Sequence, residues 1–324
     1  MTGVDVPAAA AAIRGRLRRT PLLSSETLGR VFGGRAFLKA ELLQKTGSFK
    51  PRGVLTKLAS LSPEERERGV IAASAGNHAA ALAWACAAEG VDCLVVMWQG
   101  ASPPKRAAAL GYGAAVDEQA AGPQEVFARL AELQEASGRV LVHPFDDPLI
   151  LAGQGTVGLE ILEEAPEVDV VVAPTGGGGL VAGIASALPG SRVVAVEPEG
   201  SAALHAALEA GRPVTVEPRS IADGLNAPFA GEHVVAACRA RGVESALVTE
   251  DEIAAGFRFL YERAKLAAEP AGAAGVAALL AGKIEAVSGA TVALVVSGGN
   301  VAPETASDIL KRNDLSTDED RDPS

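Results

Sequence analysis

The segment DVVVAPTGGGGL, Asp169–Leu180, decides the fold class because it joins a continuous apolar run to a glycine loop and a second apolar stretch. A continuous apolar run is typical of a strand that is buried on both faces of a parallel sheet. Four consecutive glycines cost backbone entropy, and they favour a loop whose N–H groups wrap around an anion at a helix N-terminus. A flexible turn is the plainer alternative. Neither GxGxxG nor GxxxxGK[ST] fits, which disfavours dinucleotide and P-loop nucleotide sites.

The same order of strand and helix recurs along the chain. Further short β-branched runs lie at Val70–Ala73, Asp92–Met97, Arg192–Val196 and Thr291–Val296. Between the runs lie helical segments rich in Ala, Leu, Glu and Arg, at His78–Glu89, Pro103–Leu110, Gln124–Ser137, Leu180–Leu188 and Glu250–Ala267. This alternation predicts an α/β fold of parallel sheets, with ligands bound where the strands end.

Composition limits the class of protein. The 324 residues suffice for one large domain or two moderate ones. The net charge of −11 disfavours a nucleic-acid partner, because a phosphate-binding surface needs clustered Lys and Arg. Three sparse cysteines fit a reducing compartment, and we find neither a secretory signal nor an apolar run of about 18 residues that could span a membrane. We therefore expect a cytoplasmic protein without a membrane or nucleic-acid partner.

Two further loops follow predicted strands. SAGNHA, Ser74–Ala79, offers small residues, the side chains of Ser74, Asn77 and His78, and the N–H groups of a helix start. A simple N-cap with an incidental histidine is the alternative. SGGN, Ser297–Asn300, predicts no more than a turn when it is considered alone.

The segment KTGSFKPRG, Lys45–Gly53, contains an unusual lysine. Lys50 lies between Phe49 and a proline, with Arg52 close by. Partial burial and a nearby cation would both lower the pKa of its amine, although a solvated surface lysine is the alternative. Together with the glycine loop and the SAGNHA helix start, a semi-buried lysine predicts a phosphate-bearing aldehyde cofactor such as pyridoxal 5'-phosphate (PLP).

The order of the motifs resembles one enzyme family. In chain order, the motifs are KTGSFKPRG, SAGNHA, HPFDDPLILAGQGT (His143–Thr156), PTGGGGL, VEPEG (Val196–Gly200), SIADGL (Ser220–Leu225), EPAGAAG (Glu269–Gly275) and SGGN. From about residue 14 to about residue 312, the chain resembles the fold-type II, tryptophan-synthase-β-like PLP enzymes. Within them it is most similar to the branch of threonine/serine dehydratases and serine racemases.

The resemblance implies two doubly wound, open-sheet α/β domains with PLP between them. We expect the smaller domain at residues 66–146, inserted in a larger PLP-binding domain formed by residues 1–65 and 147–312. The acidic tail, residues 313–324, is expected to be disordered. The resemblance also implies a homodimer or homotetramer. We expect no feedback regulation through a long C-terminal extension, because the chain stops soon after SGGN.

Site residues follow from the same resemblance. Lys50 would be the Schiff-base lysine and the catalytic base, and Phe49 would pack on the pyridine ring. The other cofactor-binding residues would be Asn77 at the phenolic oxygen, Gly176, Gly177, Gly178, Gly179 and Leu180 at the phosphate, and Ser297 at the pyridine nitrogen. The substrate carboxylate would be held by Ser74, Ala75, Gly76, Asn77 and His78.

The implied reaction is β-elimination from a β-hydroxy-L-amino acid, L-threonine or L-serine, which yields a 2-oxo acid and ammonia. Serine racemase and 3-hydroxyaspartate dehydratase are alternatives, and a non-catalytic amino-acid-binding homologue is a more distant one. Racemases of this branch carry a second serine where this chain has Ala75, so the base for the opposite face is missing. His78 fits dehydratases better than β-replacement synthases.

A cation site is doubtful at this stage. The metal site of the resembling enzymes pairs a glutamate with an aspartate six residues later, and this chain has Glu197 and Ala203 at those positions. Losing one carboxylate weakens an oxygen-ligand site for Mg²⁺ or Ca²⁺. Glu197 is therefore a candidate ligand for a divalent or monovalent cation, and a simple salt bridge is the alternative.

Overall fold

Two sheets organise the chain in the computed structural model, which describes residues 3–100, 103–122, 125–285 and 288–311. The strands in these ranges are β1 Leu22–Ser24, β2 Arg35–Lys39, β3 Val70–Ala73, β4 Cys93–Trp98, β5 Ala115–Ala120, β6 Val140–Leu141, β7 Val170–Pro174, β8 Arg192–Pro198, β9 Glu244–Val248 and β10 Thr291–Val295. The larger sheet has strand order β1-β2-β10-β7-β8-β9, and the smaller sheet has strand order β5-β4-β3-β6. The pairing of β1 with β2 is antiparallel, and the other pairings are parallel. The predicted α/β class is confirmed.

Helices connect the parallel strands, as crossover connections require. Those within the described ranges are α1 Val6–Ala12, α2 Glu26–Phe32, α3 Pro51–Ala59, α4 Pro63–Arg68, α5 Asn77–Glu89, α6 Pro103–Gly111, α7 Val126–Ser137, α8 Pro148–Glu164, α9 Gly179–Ala187, α10 Ala203–Ala210, α11 Glu232–Ala240, α12 Glu250–Phe259, α13 Pro270–Leu280 and α14 Pro303–Lys311. Short 3-10 turns lie at Glu41–Leu43, Lys45–Gly47 and Asp223–Leu225. Helix α3, which begins directly after Lys50, has Pro51 in its first turn, where a missing N–H costs nothing.

One predicted helix is shorter than expected. The capping box of Thr249 and Glu252 begins α12 as its sequence indicates, but the helix ends at Phe259 rather than continuing to Ala267. A π turn, Leu260–Ala264, follows, and Lys265 takes the left-handed conformation with φ of 59°. A non-glycine residue in that conformation cannot continue a right-handed helix, which explains the early end.

The smaller sheet lies, in chain order, between β2 and β7 of the larger one. Its apolar core is shared with neighbouring helices, because Val54, Leu55 and Ile150 pack in the same cluster as Val70 and Ala72. Helices α3 and α8 therefore contact the core of the smaller sheet although they lie outside residues 66–146. The exact limits of an inserted domain stay a prediction.

Two expectations concern the ends of the chain and its surroundings. Within the part of the chain that the structure describes, no helix is long and apolar enough to cross a membrane. The acidic tail, 313–324, lies outside the described residues.

Candidate active site

Loops from both sheets meet where their strands end. SAGNHA follows β3 of the smaller sheet, and SGGN follows β10 of the larger one. The Asn77 amide joins the two, since its Nδ2 donates to Glu269 Oε1 at 2.7 Å and its Oδ1 accepts from Asn300 Nδ2 at 2.8 Å. The Glu269 N–H in turn donates to the Gly298 carbonyl at 3.0 Å. These bonds hold the loops of the two sheets together.

Lys50 immediately precedes α3 and is half-buried. Its Nζ donates to the Pro144 carbonyl oxygen at 2.8 Å and lies 5.2 Å from the centroid of the Phe49 ring. Burial lowers the pKa of the amine from 10.5 to about 8, although the negative charge of Glu269 acts in the other direction and raises it. A substantial neutral fraction therefore exists near pH 8, as a nucleophile or a base requires.

The expected help from Arg52 is absent, and that part of the interpretation is wrong. Arg52 is buried and paired with the carboxylates of Glu41 and Glu160, at 2.8 Å and 2.7 Å. Its charge is neutralised locally, and the pKa of Lys50 is lowered by burial instead.

The glycine loop has little space for side chains. A methyl group on Gly176 would lie 2.9 Å from the Leu225 carbonyl oxygen, and one on Gly177 would overlap the Phe145 ring. Gly178 has a φ of 85°, in the left-handed region that favours glycine. The glycines are required by the packing, so the loop is more than a flexible turn.

Helix α9 begins at this loop, at Gly179, and Leu180 in its first turn is buried. The first bond within the helix here runs from the Ala182 N–H to the Gly178 carbonyl, at 3.0 Å. The preceding N–H groups have no acceptor within the helix, and together with the helix dipole they favour an anion. The loop therefore fits the phosphate of PLP.

SAGNHA forms the turn into α5. Ser74 is half-buried, and its Oγ accepts the N–H of Gly76 at 3.2 Å. The His78 ring is buried and faces the protein, with Nε2 2.9 Å from the Val142 carbonyl oxygen. Burial and the charge of Lys50 lower the pKa of His78 to about 3, so the ring is neutral. Only the backbone of His78 remains suited to the substrate role predicted for it.

Ser297 lies beside the segment that carries Lys50. It is 4% exposed, and its carbonyl oxygen accepts the N–H of Phe49 at 3.1 Å. A bridge between Ser48 and Gly298 strengthens this contact. The end of β10 therefore fixes the backbone that leads into Lys50.

Four residues that bond to Lys50 or Asn77, or that hold such a partner, were not predicted as site residues. They are His143, Pro144, Glu269 and Asn300. The Nδ1 of His143 accepts the Asp146 N–H at 2.8 Å and so holds the turn that presents the Pro144 carbonyl. A backbone carbonyl has no side-chain signature, but Glu269 could have been found, because it precedes a helix-starting proline in EPAGAAG.

The doubtful metal site does not fit a divalent cation. Glu197 is fully buried, and its two oxygens accept the backbone N–H groups of Leu204 and His205, at 2.7 Å and 2.8 Å. Ser245 Oγ donates to the same carboxylate at 3.4 Å. Among the described residues, no group of three or more His, Cys, Asp or Glu side chains could hold a metal ion. The first turn of α10 occupies the carboxylate that a cation would need.

A strand-end loop of glycines, a buried lysine amine and parallel sheets together define a class of enzyme. The chain belongs to the family described as pyridoxal-phosphate dependent enzyme, whose profile matches residues 13–298. The family resemblance inferred from the motifs is confirmed, and so is the dependence on PLP.

Named relatives lie within this family. The chain is 43% identical to the L-threonine ammonia-lyase of Thermotoga maritima, over 92% of this chain and 75% of that protein. It is 40% identical to the L-threonine dehydratase catabolic TdcB of Staphylococcus aureus, over 95% and 91% of the two chains.

Solved structures agree with this assignment. Maize serine racemase superimposes with a TM-score of 0.89 at 34% identity, over 94% of both chains. A threonine deaminase from T.th. superimposes with a TM-score of 0.83 at 41% identity, over 92% of this chain and 97% of that one.

Proposed function

We propose that this protein is a PLP-dependent ammonia-lyase that eliminates water from L-threonine or L-serine to give an enamine, whose hydrolysis takes up one water and yields a 2-oxo acid and ammonia. The observation that carries the proposal is a lysine amine with a lowered pKa, bonded to the Pro144 carbonyl directly before Phe145, the residue that packs on the glycine loop. Threonine ammonia-lyases and dehydratases at about 40% identity support the choice of reaction.

The roles of the residues follow from their surroundings. PLP, when bound, supplies an aldehyde that lysine can hold and a conjugated ring that withdraws electrons from the substrate. Lys50 would hold that aldehyde, and once the substrate amine has displaced it, the freed Lys50 amine would accept the α-proton, because burial keeps part of the amine neutral. Gly176, Gly177, Gly178 and Gly179, with Leu180, would receive the phosphate through backbone N–H groups.

The remaining predicted residues orient the two ligands. Phe49 would pack on the pyridine ring, Asn77 would donate to its phenolic oxygen, and Ser297 would face its nitrogen as a neutral partner. Ser74 and the backbone N–H groups from Ala75 to His78 would hold the substrate carboxylate at the start of α5, the Gly76 N–H by giving up its bond to Ser74 Oγ. An anion at this helix start is favoured by the same free N–H groups and dipole as in α9.

Serine racemase is the second candidate, because the maize enzyme superimposes closely. A racemase of this kind needs a proton donor on the face opposite Lys50. The methyl group of Ala75, at the position where the resembling racemases carry serine, cannot supply a proton. This favours elimination over racemisation.

Two experiments test the proposal. Borohydride reduction followed by peptide mass mapping is expected to fix PLP on Lys50, and fixation elsewhere or nowhere would refute the central assignment. Incubation with L-threonine, L-serine, D-serine and 3-hydroxyaspartate, assayed for 2-oxo acid and for product chirality, then separates the candidates. Interconversion of L- and D-serine faster than oxo-acid release would overturn the dehydratase in favour of the racemase.

We also propose that the protein is a cytoplasmic homodimer or homotetramer without nucleic-acid or membrane partners. The net charge of −11 disfavours a nucleic-acid partner, and three buried cysteines without a disulfide fit a reducing compartment; the oligomeric state rests on the family resemblance alone. Light scattering of the purified protein tests the oligomeric state, and a monomer at micromolar concentration would contradict it.

A further inference from the structure

Arg52 occupies an unusual environment two residues after Lys50. It is 1% exposed, yet every N–H of its guanidinium has an acceptor. Nε and Nη2 donate to the two oxygens of Glu41, each at 2.8 Å. Nη1 and Nη2 donate to the two oxygens of Glu160 at 2.7 Å and 2.9 Å, and Nη1 also donates to Thr156 Oγ1 at 3.1 Å.

Lys39 completes the buried network. It is fully buried, and its Nζ donates to Glu160 Oε2 and to the Thr20 carbonyl, both at 2.7 Å. Two cations, Arg52 and Lys39, thus face the two carboxylates of Glu41 and Glu160. Buried ion networks often stabilise a fold no better than apolar side chains of similar size, so stability alone does not explain this one.

The geometry gives a different reason for the network. Glu41 lies in the turn after β2, Arg52 in the first turn of α3, and Glu160 on α8. Lys50 directly precedes α3, and the Pro144 carbonyl that accepts its Nζ lies just before α8. Arg52 therefore fixes both the segment that carries the amine and the helix that follows its acceptor.

We propose that Arg52 is a positioning residue, which sets the place of the Lys50 amine by clamping the start of α3 to α8 and to the turn after β2. The inference rests on the role proposed for Lys50. A planar fork with five donors is needed to bind two carboxylates and a hydroxyl at once, and a lysine at this position would satisfy only part of the set.

The test compares Arg52→Met with Lys39→Met. Each variant removes one buried cation from the same network, but only Arg52 lies on the segment of Lys50. In cofactor-free protein, the reactivity of Lys50 toward an acylating reagent is measured by peptide mass mapping as a function of pH. Arg52→Met is expected to move the pH midpoint of Lys50 acylation by about one pH unit or more, because the amine leaves the desolvated position that it has in the wild-type protein. Lys39→Met is expected to leave it unchanged.

Kinetics of the PLP-loaded enzyme supply the second readout. Arg52→Met is expected to lower kcat by about tenfold to a hundredfold with a smaller change in KM, since a displacement of about 1 Å can cost a hundredfold. Lys39→Met should keep kcat within about threefold even where it lowers the melting temperature. Arg52→Lys should restore part of the kcat and of the pH midpoint, because it keeps the charge without the fork.

Equal losses of kcat in the two methionine variants, with an unchanged pH midpoint for Arg52→Met, would overturn the inference. If Arg52→Met does not fold, Arg52→Lys and Glu160→Gln replace it, and an unshifted midpoint in both would overturn the inference equally. Borohydride fixation in the wild-type protein keeps the two proposals apart. If PLP is not fixed on Lys50 there, the proposed function fails. If it is, and Arg52→Met behaves as Lys39→Met does, only the positioning role fails.

Discussion

Replacing Lys50 by methionine in the cofactor-free protein should make the fold more stable at pH 7. Burial lowers the pKa of the amine from 10.5 to about 8, and a shift of this size corresponds to about 3 kcal/mol at 1.36 kcal/mol per unit. Lys50 is only half-buried, so solvent screening reduces this penalty. Methionine also loses the hydrogen bond to Pro144, worth about 1 kcal/mol. A net gain of about 1 kcal/mol is expected.

The sign of this effect depends on pH. The unfolded chain binds the Lys50 proton up to pH 10.5 and the folded chain only up to about 8. The wild-type protein therefore gains stability as pH rises through this window, and the penalty is complete below it. The advantage of Lys50→Met should shrink above pH 8 and reverse near pH 10.5, where only the lost hydrogen bond remains.

Urea unfolding followed by circular dichroism, at pH 7, 8, 9 and 10, measures both quantities. Lys45→Met is the control in the same segment, because the Lys45 ammonium lies 5.6 Å from the centroid of the Trp84 ring and its loss should lower stability at pH 7. The reasoning would be refuted if the Lys50→Met variant were less stable than wild type at pH 7, or if the difference in unfolding free energy between the two did not change with pH.

Three further predictions concern the rest of the site. Ala75→Ser restores a proton-bearing group and should raise the ratio of racemisation to elimination by about tenfold or more, measured with L-serine by chiral chromatography; an unchanged ratio would contradict the missing-base explanation. Gly177→Ala would press a methyl group into the Phe145 ring, so we expect a loss of about 1–3 kcal/mol and weaker binding of PLP by absorbance titration. Gly76→Ala is the matched control, because no atom lies within 4 Å of the added methyl, and equal losses in both variants would count against the packing argument. Because backbone N–H groups occupy both oxygens of Glu197, dialysis against EDTA should leave kcat within about twofold, and a larger loss restored by Mg²⁺ would contradict this.

The sequence predicted the centre of each sheet better than its edges. Strands β3 and β7 are apolar throughout, β10 is apolar after its first residue, Thr291, and all three are buried on both faces, so their composition alone indicates them. The edge strands β5 and β9 mix apolar and charged residues, and β1 and β6 have only three and two residues. Short edge strands depend on pairing with a neighbour, and a local pattern does not indicate that pairing.

The location of the candidate site could be predicted where it depends on a conspicuous side chain or on a run of glycines. The glycine loop follows β7 and Asn77 follows β3, as the predicted strand ends indicated, and Lys50 lies directly before α3; the roles of these residues stay predictions. The partners of Arg52 were not predictable, because Glu160 is 108 residues away and meets it through the packing of α8 on α3, and Glu41 reaches it from the turn after β2. Arg52 is close to Lys50 in sequence, but its charge is paired with two carboxylates and does not lower the pKa of the Lys50 amine.

The bonds of the Asn77 amide have a consequence for how ligands compete in this cleft. Each end of that amide already makes one bond, to Glu269 and to Asn300. One N–H of Nδ2 and one lone pair of Oδ1 remain for a ligand, whose bond replaces a bond to water, so the net gain is closer to about 1 kcal/mol than to the roughly 4–6 kcal/mol of an isolated bond. Asn77 therefore discriminates among ligands by geometry and adds little to binding strength. Because the amide joins loops of the two sheets, its orientation is fixed from both sides before a ligand arrives.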